Sequence, residues 1–401
     1  MTIKSQAETL SKLSIAFTPH QPISIPDFLA GRKDLLYRVT DAVNTEGLHV
    51  ILYGDRGTGK TSIARVLSNW LNEPDNKRGR RCIFISSSIN DTFASIWRKA
   101  TQEILLSQRQ IGFLEHQTAL VTDRVDVGDS LKNPNDVRLF WQSLSNPSVV
   151  IIDEFDKISI DSDTRGLMAD TIKLFSDYTV QAKLVIVGVG ESIDELIKEH
   201  QSISRNIAQI HVEPMTVIEL SQIIQKGYEY AGLKYETGLD IRIATLSQGY
   251  PHYTHLLGLW SGRQAVESDQ SEITSKHLEL AIPRALKNAE GGLQHQYEKA
   301  IISSRKDALF PQILLACALA EKDSLGRFPV RAVQIPLKTI TGVDYITGAY
   351  QGHLAKFCEE ERGKVLIRFG KKKSYRWGFT NPQLIPYILL KGISEGLIKE
   401  Y

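Results

Sequence analysis

The sequence predicts an α/β fold, with a parallel sheet covered by helices on both sides, then a helical domain and a basic C-terminal domain. Short β-branched runs alternate with helical stretches: HVILY (49–53), RCIFISSS (81–88), SVVIID (148–153), KLVIVGVG (183–190) and the weaker AQIHVEP (208–214). Several of these runs are apolar without alternation, as strands buried on both faces must be. Strands separated by helices imply crossover connections and a sheet sandwiched between two helical layers. Beyond Pro214 the apolar spacing turns helical and stays so through most of the remaining chain.

At 401 residues the chain exceeds what one hydrophobic core serves, so it divides into domains. The expected limits are a flexible leader over 1–24, the α/β domain over 25–215, a helical domain over 216–290 and a C-terminal domain over 291–401. Hydrophobic residues make up 42% and charged ones 23%, which places the chain among ordinary soluble globular proteins. The cysteines Cys82, Cys317 and Cys358 lie far apart with no CxxC pair, which argues against a zinc or disulfide framework and suits the cytoplasm. The first residues, MTIKSQAETLSKLSIAFTPHQ, lack a signal-peptide core, and no apolar run approaches the roughly 18 residues of a membrane span. The net charge of +2 hides an asymmetry: Gly291–Tyr401 holds 17 Lys+Arg against 10 Asp+Glu, and the rest 31 against 36. A basic tail on a mildly acidic body points to a polyanionic partner, although solvated surfaces also show such imbalances.

In the helical region, TVIELSQIIQKGYEYAG puts Ile218, Ile223 and Ile224 near one face, and Thr274 or Ser275 is placed to cap a later helix. His252 and His255 stand three apart on one helix, and with no third ligand they read as helix histidines rather than a metal site. Near the C-terminus, KVLIRFGKKKSYRWGF reads as a hairpin around Gly-Lys-Lys-Lys-Ser, and helices followed by such a hairpin suggest a winged helix.

The chemistry is carried by Gly54-x-x-x-x-Gly59-Lys60-Thr61, between an apolar strand and the helical pattern SIARVLSNWL. Glycines there let successive backbone N–H groups turn toward phosphate oxygens, and the helix start adds its positive dipole end. The loop Gly54, Asp55, Arg56, Gly57, Thr58, Gly59, Lys60, Thr61 and Ser62 is therefore the expected phosphate cradle. Lys60 is expected to reach the β- and γ-phosphates of ATP, and the Thr61 hydroxyl to ligate Mg²⁺. SVVIIDEFDKI ends a second apolar strand in Asp153-Glu154. Asp153 suits the Mg²⁺ shell and Glu154 the deprotonation of an attacking water.

These motifs, with FLAGRKDLLYRV (28–39), LVIVGVGES, SISRNIAQIHVEPMTVIELSQII and LSQGYPHYTHLLG, resemble the AAA+ and related STAND P-loop ATPases, particularly the replication-origin-initiator (ORC/Cdc6-like) clade. The likeness covers about residues 26–290. It implies a sheet ordered 5-1-4-3-2, a helical lid after it, and a nucleotide between the two. It also implies Arg32 near the adenine end, Ser192 or Glu191 as a sensor after the fourth strand, and Arg205 as an arginine finger for a neighbouring copy. Initiators carry a lid arginine where this chain has His252, in Gly249-Tyr250-Pro251-His252; the GxP form is closer to STAND switches, whose proline abuts the nucleotide. Loss of that arginine implies slow hydrolysis.

In a winged helix the second helix enters the major groove and the hairpin touches phosphates. Here Tyr345–Glu360 is that helix, offering Tyr350, Gln351, His353 and Lys356, and the hairpin offers Arg368, Lys371, Lys372, Lys373 and Arg376 to double-stranded DNA. Glu359-Glu360-Glu361 opposes DNA, and winged helices also bind proteins. Two readings stand at this point. One is an oligomeric, DNA-associated ATP switch or assembly factor for replication initiation, transposition targeting or DNA-linked defence. The other is a STAND-type or accessory ATPase whose tail binds a protein effector.

Overall fold

The computed structural model describes residues 3–73, 80–111, 130–159, 162–190, 193, 196–197, 203–303, 308–323, 325–371 and 374–399. The chain forms two units, residues 21–213 and residues 1–20 with 214–401.

The first unit is built on five strands: β1 (His49–Tyr53), β2 (Arg81–Ser86), β3 (Ser148–Asp153), β4 (Ala182–Val187) and β5 (Ile207–His211). They run parallel in the order β2-β3-β4-β1-β5, the expected 5-1-4-3-2. The apolar runs are unbroken because alternate residues enter two different cores. Ile51, Val150, Ile152, Leu184 and Ile186 join one cluster, around Trp97, Trp141 and Phe175. Val50, Leu52, Val149, Ile151, Val185 and Val187 join the other, against Ile63, Val66 and Leu67 of the helix Lys60–Leu71. Since β1 and β3 both flank β4 in parallel, the residues after Tyr53 and those after Asp153 emerge at the same edge of the sheet.

In the second unit, helices Val217–Ala231, Leu239–Leu246, Pro251–Glu267 and Ser275–Lys287 form the helical region. Thr274 caps the last of these, with His277 completing the capping box. Ile223 and Ile224 are buried, whereas Ile218, expected on the same face, is 69% exposed because it lies in the first turn, before the packed stretch. The leader is not loose. Ile3–Ala16 is a helix, and Phe17 just past its end is buried. Phe17 lies where a Cβ on Gly227 or Gly258 would meet its ring at 2.3 and 2.6 Å, so glycine at both positions makes its seat. The expected boundary at residue 290 is also bridged, since the Tyr253 hydroxyl donates to the Gln383 carbonyl at 2.9 Å.

The C-terminal part carries helices Phe310–Leu319, Gln334–Thr341 and Thr347–Lys356. With them goes an antiparallel sheet β6-β8-β7, formed by β6 (Phe328–Pro329), β7 (Leu366–Phe369) and β8 (Arg376–Phe379). Its third helix is shorter than expected and turned differently. Tyr350 is 1% exposed and its hydroxyl donates to the Val330 carbonyl at 3.2 Å, while His353 packs 4.8 Å from the Phe310 ring. Gln351 and Lys356 do face outward. Among the described residues no helix is long and apolar enough to cross a membrane.

His49 makes the sheet sensitive to acid. Its buried Nδ1 accepts the Leu184 N–H at 2.9 Å, and burial, with Lys183 adding to it, pulls its pKa from 6.5 to about 3. Below pH 6.5 the unfolded chain binds a proton that the native imidazole refuses. Stability present above pH 6.5 is therefore lost as the pH falls toward 3, by at most about 1.4 kcal/mol per pH unit. Urea unfolding at pH 7.5 and 5.0 should show the parent losing about 2 kcal/mol more than His49→Asn. Equal losses in the two proteins would remove His49 as the cause.

Candidate functional site

The glycine loop leaves β1 through positive φ angles at Gly54 (143°), Gly57 (84°) and Gly59 (94°). A Cβ on Gly54 would sit 2.5 Å from the Val212 carbonyl oxygen, so no other residue fits where the loop passes the exit of β5. The Thr58 hydroxyl ties back to the Asp55 carbonyl at 3.0 Å, and Arg56 is exposed. Gly59, in the left-handed region, precedes the helix Lys60–Leu71, and no side chain caps that helix. Its first N–H groups thus lack intrahelical acceptors at the point where a Cβ on Gly59 would meet nothing within 4 Å. Open space in front of uncapped donors fits a phosphate chain.

Lys60 is buried, its Nζ donating to the carbonyls of Gly54 (2.9 Å) and Asp55 (2.6 Å). Burial pulls its pKa from 10.5 to about 8, against the opposing pull of the Asp156, Asp55 and Asp153 carboxylates. The next residue reaches β3: the Thr61 hydroxyl donates to Asp153 Oδ1 at 3.3 Å. Asp153 is buried, and burial raises its carboxyl pKa, with the Glu154 N–H (2.9 Å) and the Thr61 hydroxyl working against that rise. One carboxylate and one hydroxyl make an incomplete shell of hard oxygen donors. That suits Mg²⁺, which takes few protein ligands and completes its shell with phosphate oxygens and water. Thr61 and Asp153 would hold the ion, whose chemistry there is to offset charge on the phosphates.

Glu154 comes next, in the left-handed region at φ 56°, which turns the chain off the strand. Its carboxylate takes a hydrogen bond from Lys157 at 2.6 Å, and both side chains are exposed. The sequence pattern gives Asp156 no role, because the acid falls past the strand, where periodicity says nothing. The structure has its Oδ1 accepting the Val189 N–H at 2.8 Å, just beyond β4.

Other expected residues are placed differently. The Ser62 hydroxyl accepts the Ile23 N–H at 3.2 Å rather than facing the loop's open side. The Arg32 guanidinium donates to the Glu213 carbonyl at 2.6 Å. Ser192 and Glu191 lie outside the described residues, as do Lys372 and Lys373. Arg205 stands just before β5, its side chain 79% exposed and 3.9 Å from Asp177. Pro251 and His252 belong to the second unit, where Pro251 opens its helix and His252 Nδ1 lies 2.8 Å from the Pro19 carbonyl. Among the C-terminal cations, Lys356, Arg368 and Lys371 are exposed, and Arg368 lies over the Tyr375 ring at 4.4 Å. Arg376 is engaged by Asp323 at 3.0 Å, which weakens it as a partner for phosphate.

Residues 50–214 match the family model for the ATPase family associated with various cellular activities (AAA). This segment is an AAA domain. The match runs from within β1 to just past β5, so the parallel sheet lies inside it but for His49. In fold, the whole chain is similar to the Walker-type ATPase of Pyrococcus abyssi, at 14% identity and TM-score 0.52, over 92% of this chain and 98% of that one. It is similar also to the ORC2 protein of Aeropyrum pernix, at 13% identity and TM-score 0.52, over 96% of this chain and 97% of that one. Likeness this remote speaks for the fold alone. No curated protein sequence matches the chain.

Proposed function

We propose that the chain is a slow ATPase that works as an ATP-driven, DNA-associated switch or assembly factor in copies of itself. The observation that carries this reading is the meeting of Thr61 with Asp153 at 3.3 Å beside the buried Lys60, in a domain of the AAA family. The ORC2 protein of Aeropyrum pernix, alike in fold, is known as ADPNP and ADP complexes, and the same ligand class suits this loop. The uncapped N–H groups of the helix Lys60–Leu71 and the Lys60 ammonium bind the phosphates, and Mg²⁺ is held by Thr61 and Asp153. Glu154 takes the proton from the attacking water. To do so its carboxylate leaves Lys157, an exposed pairing worth about 1 kcal/mol at most, so that pairing slows the step by no more than about fivefold. Arg205, exposed before β5 and only 3.9 Å from Asp177 at its nearest, would leave that weak surface pairing to serve a neighbouring copy.

The C-terminal helices and hairpin sheet read as a winged helix, whose exposed Lys356, Arg368 and Lys371 suit duplex DNA. A second reading, in which this end binds a protein effector, is favoured by Ile335 and Ile346, exposed at 78% and 76% on and beside the two helices that precede the hairpin.

Two experiments test these statements. Lys60→Ala should lose ATP binding, and Glu154→Gln should bind ATP with parental affinity while turnover falls by a factor of about 100 or more. Unchanged affinity in the first variant, or parental turnover in the second, refutes the assignment. For the DNA reading, Arg368→Ala with Lys371→Ala should weaken duplex binding and flatten its salt dependence by about one unit of slope for each phosphate no longer neutralised. Parental binding by that double variant, or a parent that ignores DNA altogether, moves the C-terminal part to the protein-binding reading.

A further inference from the structure

The residues after β4 are stitched to three places at once. Gly188 N–H donates to the Leu52 carbonyl at 3.1 Å, Val189 N–H to Asp156 Oδ1 at 2.8 Å, and Gly190 N–H to the Gly54 carbonyl at 3.4 Å. The Gly54 carbonyl is also an acceptor for Lys60 Nζ. One three-residue exit therefore touches β1, the phosphate loop and the turn after β3, and Asp156 is its single side-chain attachment to that turn among these bonds. The approach is close: a Cβ on Gly188 would lie 3.2 Å from both the backbone nitrogen and Oδ1 of Asp156. From behind, buried Arg165 donates to the carbonyls of Asp156 (3.2 Å) and Ile158, which pins the turn to the helix Asp163–Asp177. Phe155, fully buried, anchors the same turn in the core. Glu154 opens this turn, so whatever fixes Asp156 also fixes the backbone from which Glu154 projects.

We propose that Asp156 is a positioning residue for ATP hydrolysis: its carboxylate ties the exit of β4 to the turn bearing Glu154, holding that turn, the β4 exit and the phosphate loop as one frame. This rests on the ATPase reading given above. Asp156 touches no reacting atom. It acts through the backbone of Val189 on one side and that of Glu154 on the other. A loosened frame lets the Glu154 carboxylate wander relative to the phosphate loop, and misplacement of about 1 Å is enough to cost a catalytic group much of its effect. Binding of the phosphates depends on the loop's own N–H groups and Lys60, and since Asp156 is only one of three carboxylates acting on Lys60, its loss leaves that binding in place.

The test uses the full chain with MgATP, measuring kcat, the ATP dissociation constant and the thermal midpoint of Asp156→Ala, Asp156→Asn, Val189→Pro and the double variant Asp156→Ala/Val189→Pro. Asparagine keeps an acceptor oxygen at the same reach, and proline removes the donor at an exposed position. Asp156→Ala and Val189→Pro should each lower kcat about tenfold or more with affinity within about threefold of the parent. Asp156→Asn should restore most of the rate, and the double variant should be no slower than either single one, because both break the same bond. A parental kcat in Asp156→Ala overturns the proposal. So does equal loss in the alanine and asparagine variants, additive loss in the double variant, or a fall in affinity that matches the fall in rate. Should Asp156→Ala not fold, Val189→Pro and Asp156→Asn still decide the matter through the same two comparisons. A parent that binds ATP but turns over none overturns the ATPase reading itself, and the positioning role with it.

Discussion

A lysine ammonium kept out of water is the constraint on which the phosphate loop is organised. Lys60 has been drawn inward at the start of a helix whose own end is positive, and burial, net of the opposing carboxylates, costs its charged form about 3 kcal/mol for a pKa moved from 10.5 to about 8. Two loop carbonyls accept hydrogen bonds from the ammonium, and none of the three carboxylates acting on it forms a direct salt bridge with it among the described residues. An anion placed against the helix's first N–H groups would offset that cost. The arrangement is therefore one that gains from binding a polyphosphate against those N–H groups.

Much of this was legible from residue order. The strands could be read because β1, β3 and β4 are buried on both faces, which removes polar alternation and leaves runs such as VVIID and KLVIV. The loop could be read because its glycines are demanded by backbone geometry, with Gly54 pressed against the Val212 carbonyl. The meeting of Asp153 with Thr61 followed from two strands leaving the sheet at one edge.

What escaped depends on partners remote in the chain. Phe17 gave no sign of being a core residue, because its seat is formed by Gly227 and Gly258, more than 200 positions later. Arg376 read as a free cation because Asp323, its partner, precedes it by 53 positions. Tyr350 and His353 were placed outward when helical spacing alone does not say which side of a short helix faces the core; the ring of Phe310 and the carbonyl of Val330 decide it. Asp156 was missed for a related reason, since its partner is a backbone N–H, which every residue but proline offers and no sequence advertises.

Where the resemblance to initiators implies an arginine, this chain has His252. His252 Nδ1 faces the Pro19 carbonyl, which can only accept, so the ring carries its proton there. Burial holds its pKa below 6.5, and the neighbouring His20 pushes the same way, against Pro19 and Glu290. At neutral pH the imidazole is uncharged. A neutral ring cannot do for a phosphate what a permanently charged guanidinium does, and it is already committed to the N-terminal segment through Pro19.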